Sequence, residues 1–182
     1  MVNPPRILAL DLSLTRTGYC CDSADEGLAG CRTGLLETAR LRGMERLDRI
    51  VRQVQSLARG SDLVVIEGYS FGSQGRAVFD VAELGGCVRF LLHRLGMPFV
   101  NVPPATLKKF ATGKGNAPKD AMIAEAIRRF GFAGFDNNEA DAFLLWCMAR
   151  HAYECPVVSL PQLQAAALAA VTWPELGKVC CA

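Results

Sequence analysis

Residues 63–67, Leu-Val-Val-Ile-Glu, form an apolar run that ends on a carboxylate. The run is too short and too β-branched for a helix. It reads as a strand buried on both faces, the pattern of an α/β sheet. Ile7-Leu8-Ala9-Leu10-Asp11 repeats the arrangement: four apolar residues, then an acid. A carboxylate closing a greasy strand is costly to desolvate unless positive charge compensates it. Two such strand ends are the first sign of a shared site.

Working outward, Thr17–Asp22 and Leu28–Leu36 read as two further strands, which with 6–11 predict an antiparallel meander. Arg42–Arg59 carries Met44, Leu47, Val51, Val54 and Ala58 at three- and four-residue spacing, an amphipathic helix that Gly60 stops. A Ser- and Gly-rich loop, Tyr69–Gly75, leads into a long helix over about 76–95. Gly85-Gly86 inside that helix costs about 1 kcal/mol per residue relative to Ala, which close approach of another helix would offset. Phe99–Val102 is a fifth strand, followed by a short helix over 105–111 and a helix from Pro118 to Phe130. The last main helix starts at Asp136, with Asp136 and Glu139 at capping-box spacing. Element order βββ-α-β-α-β-α-α-α describes one α/β domain, a mixed five-stranded sheet flanked by helices, over residues 1–154. Residues 155–182, alanine-rich at Gln162–Ala170, form a C-terminal tail of the same domain or an appendage.

Composition narrows the function classes. The 182 residues are about half apolar and a fifth charged, with net charge +2. Any nucleic-acid contact must therefore come from local patches. No apolar run approaches the ~20 residues needed to span a bilayer, and the N-terminus lacks the regions of a signal peptide, so a cytoplasmic protein with no membrane partner is expected. The eight cysteines show no paired C-x-x-C spacing and read as reduced and structural.

The chemistry concentrates in the acids. Asn138 and Asp141 lie three apart on one helix face, while Glu139 points nearly opposite. Asp11, Glu67 and Asp141 with the Asn138 amide oxygen supply hard oxygen donors suited to Mg²⁺ or Mn²⁺. They suffice for one ion, and for two where Asp11 bridges them. Each acid alone has an ordinary structural reading, such as a turn cap or a solvated strand exit; the set of three favours a site. Asp136 reads as an N-cap rather than a ligand.

These residues resemble a known family. Ile7–Asp11 with Thr17-Gly18-Tyr19, then Val64–Glu67, then Asn138-Glu139-Ala140-Asp141-Ala142 are similar, in order and spacing, to the RuvC-like Holliday junction resolvases of the ribonuclease H-like superfamily, particularly the compact phage-encoded branch. The likeness covers roughly residues 6–152. It implies a homodimeric, metal-dependent endonuclease that cuts four-way or branched DNA symmetrically and leaves 5′-phosphate and 3′-hydroxyl ends. Asp11, Glu67 and Asp141 would be catalytic and hold Mg²⁺, two ions per site, with Mn²⁺ able to substitute. Lys119 matches a basic residue beside the cut phosphate, and Lys108 is a similar match. One departure stands out: cellular resolvases carry an Asp where this chain has Asn138.

Between Lys108 and Arg129 six Lys or Arg face only Asp120 and Glu125, which makes Lys108, Lys114 and Lys119 candidate DNA contacts. Tyr69 and Phe71, on the loop after Glu67, are candidates for stacking on an unpaired base. Val81, Leu84, Val88 and Leu91 or Leu92 are candidate dimer contacts that must also cover the sheet. Two alternatives accompany the nuclease reading: a junction-binding protein without cleavage, and an actin-like phosphotransferase, whose phosphate loop Asp11–Gly18 loosely resembles.

Overall fold

A computed structural model describes residues 4–23, 30–69 and 76–176. Five strands form one sheet in the order β3-β2-β1-β4-β5. They are β1 (Ile7–Asp11), β2 (Arg16–Asp22), β3 (Cys31–Glu37), β4 (Leu63–Glu67) and β5 (Phe99–Val102). The first three run antiparallel in succession, and β4 and β5 lie parallel to β1, so the expected mixed sheet is present. The two acid-ended strands, β1 and β4, are immediate neighbours.

Alternation along these strands divides the core. Ile7, Ala9, Leu63 and Val65 face one side, where α3 (Pro104–Thr112), α4 (Lys119–Phe130) and α5 (Asn137–Ala152) pack. Leu8, Leu10, Val64 and Ile66 face the other, covered by α1 (Gly43–Ala58) and α2 (Arg76–Arg94). α1 buries Leu47, Ile50, Val54 and Ala58. Met44, expected on that apolar face, instead lies 69% exposed in the first turn. α5 is buried nearly all round, from Ala142 through Arg150, because it crosses β1, β2 and β4 and is covered by α3 and α4.

The tail after α5 packs back onto the domain. Gln162–Ala165 is a helical turn, α6, continued by a 3₁₀ turn to Ala170. Buried Gln164 donates to the Ala111 carbonyl at 2.7 Å and accepts from Arg129. Cys20, Cys21, Cys31, Cys87, Cys147 and Cys155 are all free thiols.

Two expectations about the helices need correction. Gly85 does not admit a second helix. A Cβ there would stand 2.5 Å from the Tyr69 hydroxyl and 2.8 Å from Arg89 Nη2, whereas Gly86 faces open space. Leu84, Val88 and Leu92, expected to serve both sheet and dimer, are fully buried against the sheet. The outward face of α2 carries Phe79 and Phe90 instead, 76% and 64% exposed.

Candidate active site

Register and alternation bring the acids together. Leu10 of β1 lies level with Ile66 of β4, which makes Asp11 and Glu67 the next level pair. Both follow a residue facing α1 and α2, so both turn toward the α5 face. Asp141 approaches from the first turns of α5. Gly18 lets that helix come so close. It is the ladder partner of Asp11, and a Cβ on it would collide with the Asn138 carbonyl.

Local bonds fix the start of α5. The Asp136 carboxylate accepts from the backbone N–H of Asn138 at 2.9 Å and of Glu139 at 3.2 Å, the expected cap. It also pairs with Arg16 at 3.0 Å. The reciprocal half of the capping box is not made: Glu139 instead accepts from Thr33 Oγ1 at 2.5 Å, tying α5 to β3. Asn138 lies toward the same end of the sheet as the acids, and its Nδ2 donates to the Arg16 carbonyl at 2.6 Å. Its amide oxygen is the atom left to act as a ligand.

The acids, both lysines and Asn138 line one cleft of about 540 Å³. Burial, then the Asp11 and Asp141 charges, push the Glu67 carboxyl up to about 9, so it holds a proton and donates to Asp11. Burial, then Asp11, raises Asp141 to about 7, against the opposing pull of Lys119 and Lys108. Asp11 is raised as well, chiefly by burial, with the Glu67 hydrogen bond and Lys119 opposing. Protein cations thus only partly offset the cost of charging these groups.

The donor set suits a divalent cation by chemistry: carboxylates and an amide oxygen in a desolvated cleft, where added positive charge would let the acids ionise. Among the described residues, however, no three His, Cys, Asp or Glu side chains are placed together so as to hold a metal ion.

Lys119 opens α4 and Lys108 sits on α3, both at the cleft wall. Lys114 is exposed on the loop between those helices and does not line the cleft. Arg128 and Arg129 both pair with Glu125, so the basic stretch presents fewer free charges than its composition suggests. Tyr69 reaches the cleft, but its hydroxyl donates to the Ala82 carbonyl at 3.0 Å and its ring carries Arg89 on one face. Phe71 lies outside the described residues.

No family model matches the sequence. Three curated relatives carry the name crossover junction endodeoxyribonuclease RuvC. The protein from Gloeobacter violaceus is 35% identical over 131 residues, 68% of this chain and 73% of its own length. That from Synechococcus sp. WH7803 is 32% identical over 68% of this chain and 82% of its own. That from Anaeromyxobacter dehalogenans 2CP-1 is 30% identical over 82% and 84%. The chain belongs to the RuvC family. Its fold agrees with this RuvC assignment. Thermus thermophilus RuvC, solved in complex with a Holliday junction substrate, superposes with a TM-score of 0.66 at 21% identity over 82% of this chain and 94% of that one. The yeast mitochondrial Holliday junction resolvase superposes at 0.52, with 15% identity over 93% and 83%.

Two features of the cleft are not apparent from the sequence of this RuvC family member. Gly18 was recognised as part of a motif, but its role as the seat of α5 is a contact across 120 residues of chain. The other is Arg89, which lines the cleft from α2. Its signal was Gly85, one helical turn earlier on the same face.

Proposed function

We propose that this chain resolves four-way DNA junctions by hydrolysing phosphodiesters at the Asp11–Glu67–Asp141 cleft. One observation carries the reading: acids from β1, β4 and α5 meet on one sheet face, desolvated and flanked by Lys108 and Lys119. Asp11, Glu67 and Asp141, with the Asn138 oxygen, would hold Mg²⁺, and two ions where Asp11 bridges. Bound there, Mg²⁺ would supply the positive charge that makes water a better nucleophile and steadies the leaving oxygen. Lys119 would place its ammonium against charge building on the scissile phosphate, and Lys108 would act from the neighbouring helix.

A four-way junction has two equivalent strands to cut, so the proposal includes a dimer. α2 presents Phe79, Gly86 and Phe90 outward at spacings of seven and four, a stripe suited to a second copy across a two-fold axis.

Incubation with an end-labelled synthetic junction and Mg²⁺ should give paired, symmetric nicks bearing 5′-phosphates. Absence of nicks in both Mg²⁺ and Mn²⁺, with junction binding intact, would overturn this reading. That result would favour a second one, junction binding without cleavage, which the neutral Asn138 amide supports.

A further inference from the structure

Helix α2 contributes one cation to the catalytic cleft from the sheet face opposite the lysines. Arg89 lines that cleft, and its guanidinium lies 4.5 Å from the centre of the Tyr69 ring. Its Nη1 donates to Asn101 Oδ1 on β5 at 3.3 Å. Tyr69 is itself fixed by its hydroxyl bond to the Ala82 carbonyl. Gly85 leaves the space that both side chains occupy. Among the described residues no carboxylate lies within ion-pair distance of Arg89. Partial burial makes its charge harder to hold than in water.

An arginine that is stacked, hydrogen-bonded and without an acid is a poor device for stability. Its stem and one face are ordered in advance, while its charge meets no carboxylate among the described residues. Phosphate is the anion that a planar guanidinium binds best, through two parallel N–H groups. We infer that Arg89, positioned by Tyr69, Asn101 and the space at Gly85, binds a backbone phosphate of the DNA strand lying in the cleft. The strand is then gripped from both layers of the fold, by Lys108 and Lys119 on one side of the sheet and Arg89 on the other. The inference rests on the junction-cleaving reading and adds a contact to it.

Salt dependence tests this directly, because losing one phosphate contact lowers the slope of log affinity against log salt by about 1. Junction binding would be measured between about 50 and 200 mM salt with Ca²⁺ in place of Mg²⁺. Arg89→Gln should weaken binding roughly tenfold and reduce the slope by about 1. Arg89→Lys should restore the slope but only part of the affinity, since an ammonium keeps the charge and loses the planar stack. Gly85→Ala, whose methyl displaces the guanidinium, should lower the slope with the arginine still present; it serves as the second variant should Arg89→Gln fold poorly. A purely structural Arg89 would lower the melting temperature and leave the slope unchanged. An unchanged slope in the folded variants overturns the inference while junction binding by the wild-type protein stands. A wild-type protein with no preference for junction over duplex would overturn the proposed function and this contact together.

Discussion

Helices α5 and α2 lie on opposite faces of one sheet and differ in how they are held. α5 is enclosed by strands and helices, capped by Asp136 and seated on Gly18. Among its described residues α2 buries Leu84, Gly85, Val88 and Leu92 and leaves Phe79 and Phe90 in solvent. The acids that line the cleft turn toward the enclosed layer. The open layer carries Arg89 and Tyr69, held by single hydrogen bonds and a stacked ring. On the proposed function, the chemistry that needs precise geometry falls to the enclosed side and the substrate contact to the open side, as precision at a site requires of its supports.

Asp11→Asn strikes the enclosed layer hardest. Cleavage should fall by roughly 10³-fold or more while junction binding persists, as read from single-turnover kinetics and gel shift. Retained nicking would break the division of labour at once. Gly18→Ala is next. Its methyl cannot coexist with the Asn138 carbonyl, so α5 must move, at a cost of about 2–4 kcal/mol in chemical denaturation and with much of the cleavage. Loss of stability with full activity would show that the seat of α5 does not govern the site.

Glu67→Gln sharpens the comparison through pH. Glu67 moves from an ordinary 4.5 to about 9 and Asp141 from 3.8 to about 7 on folding. Across those windows the folded chain keeps protons that the unfolded chain has released, so stability falls as pH rises, beginning near pH 4 and ending near pH 9. With divalent ions chelated, melting temperature should decline over this range. Glu67→Gln should raise it near pH 8 by about 1–2 kcal/mol, or roughly 2–8 °C, while abolishing cleavage. A flat pH profile would show that the acids are not strained by their burial. The same protons must leave before a cation binds, so cation affinity should rise with pH.

The smallest expected effect belongs to Asn138→Asp. It adds a fourth carboxylate and removes the donor to the Arg16 carbonyl, a bond worth about 1 kcal/mol. Cation affinity, measured by calorimetry, should improve several-fold while stability in chelator falls slightly. No change in affinity would show that position 138 lies outside the coordination sphere.

Much of this layout was legible in the chain. Short unbroken apolar runs located β1 and β4 and the acids that end them, and Asp136 announced the start of α5. What stayed hidden depended on contacts between distant segments. α2 is apolar on two faces, so periodicity could not tell Leu84 and Val88, which meet the sheet, from Phe79 and Phe90, which do not. Glu139 stood at capping distance, yet Thr33 on a remote strand captured it. Gly85 could be read as an interruption, but its use by a loop tyrosine required the fold.

Gly18 also ties the register of the β1–β2 ladder to the docking of α5. It faces Asp11 across the β1–β2 ladder, flanked in sequence by Thr17 and Tyr19. A slip of one position would set a bulky neighbour where the helix must land and turn every side chain of the shifted strand to the wrong face. A mispaired β2 could therefore neither seat α5 nor bring Asp141 to the strand acids.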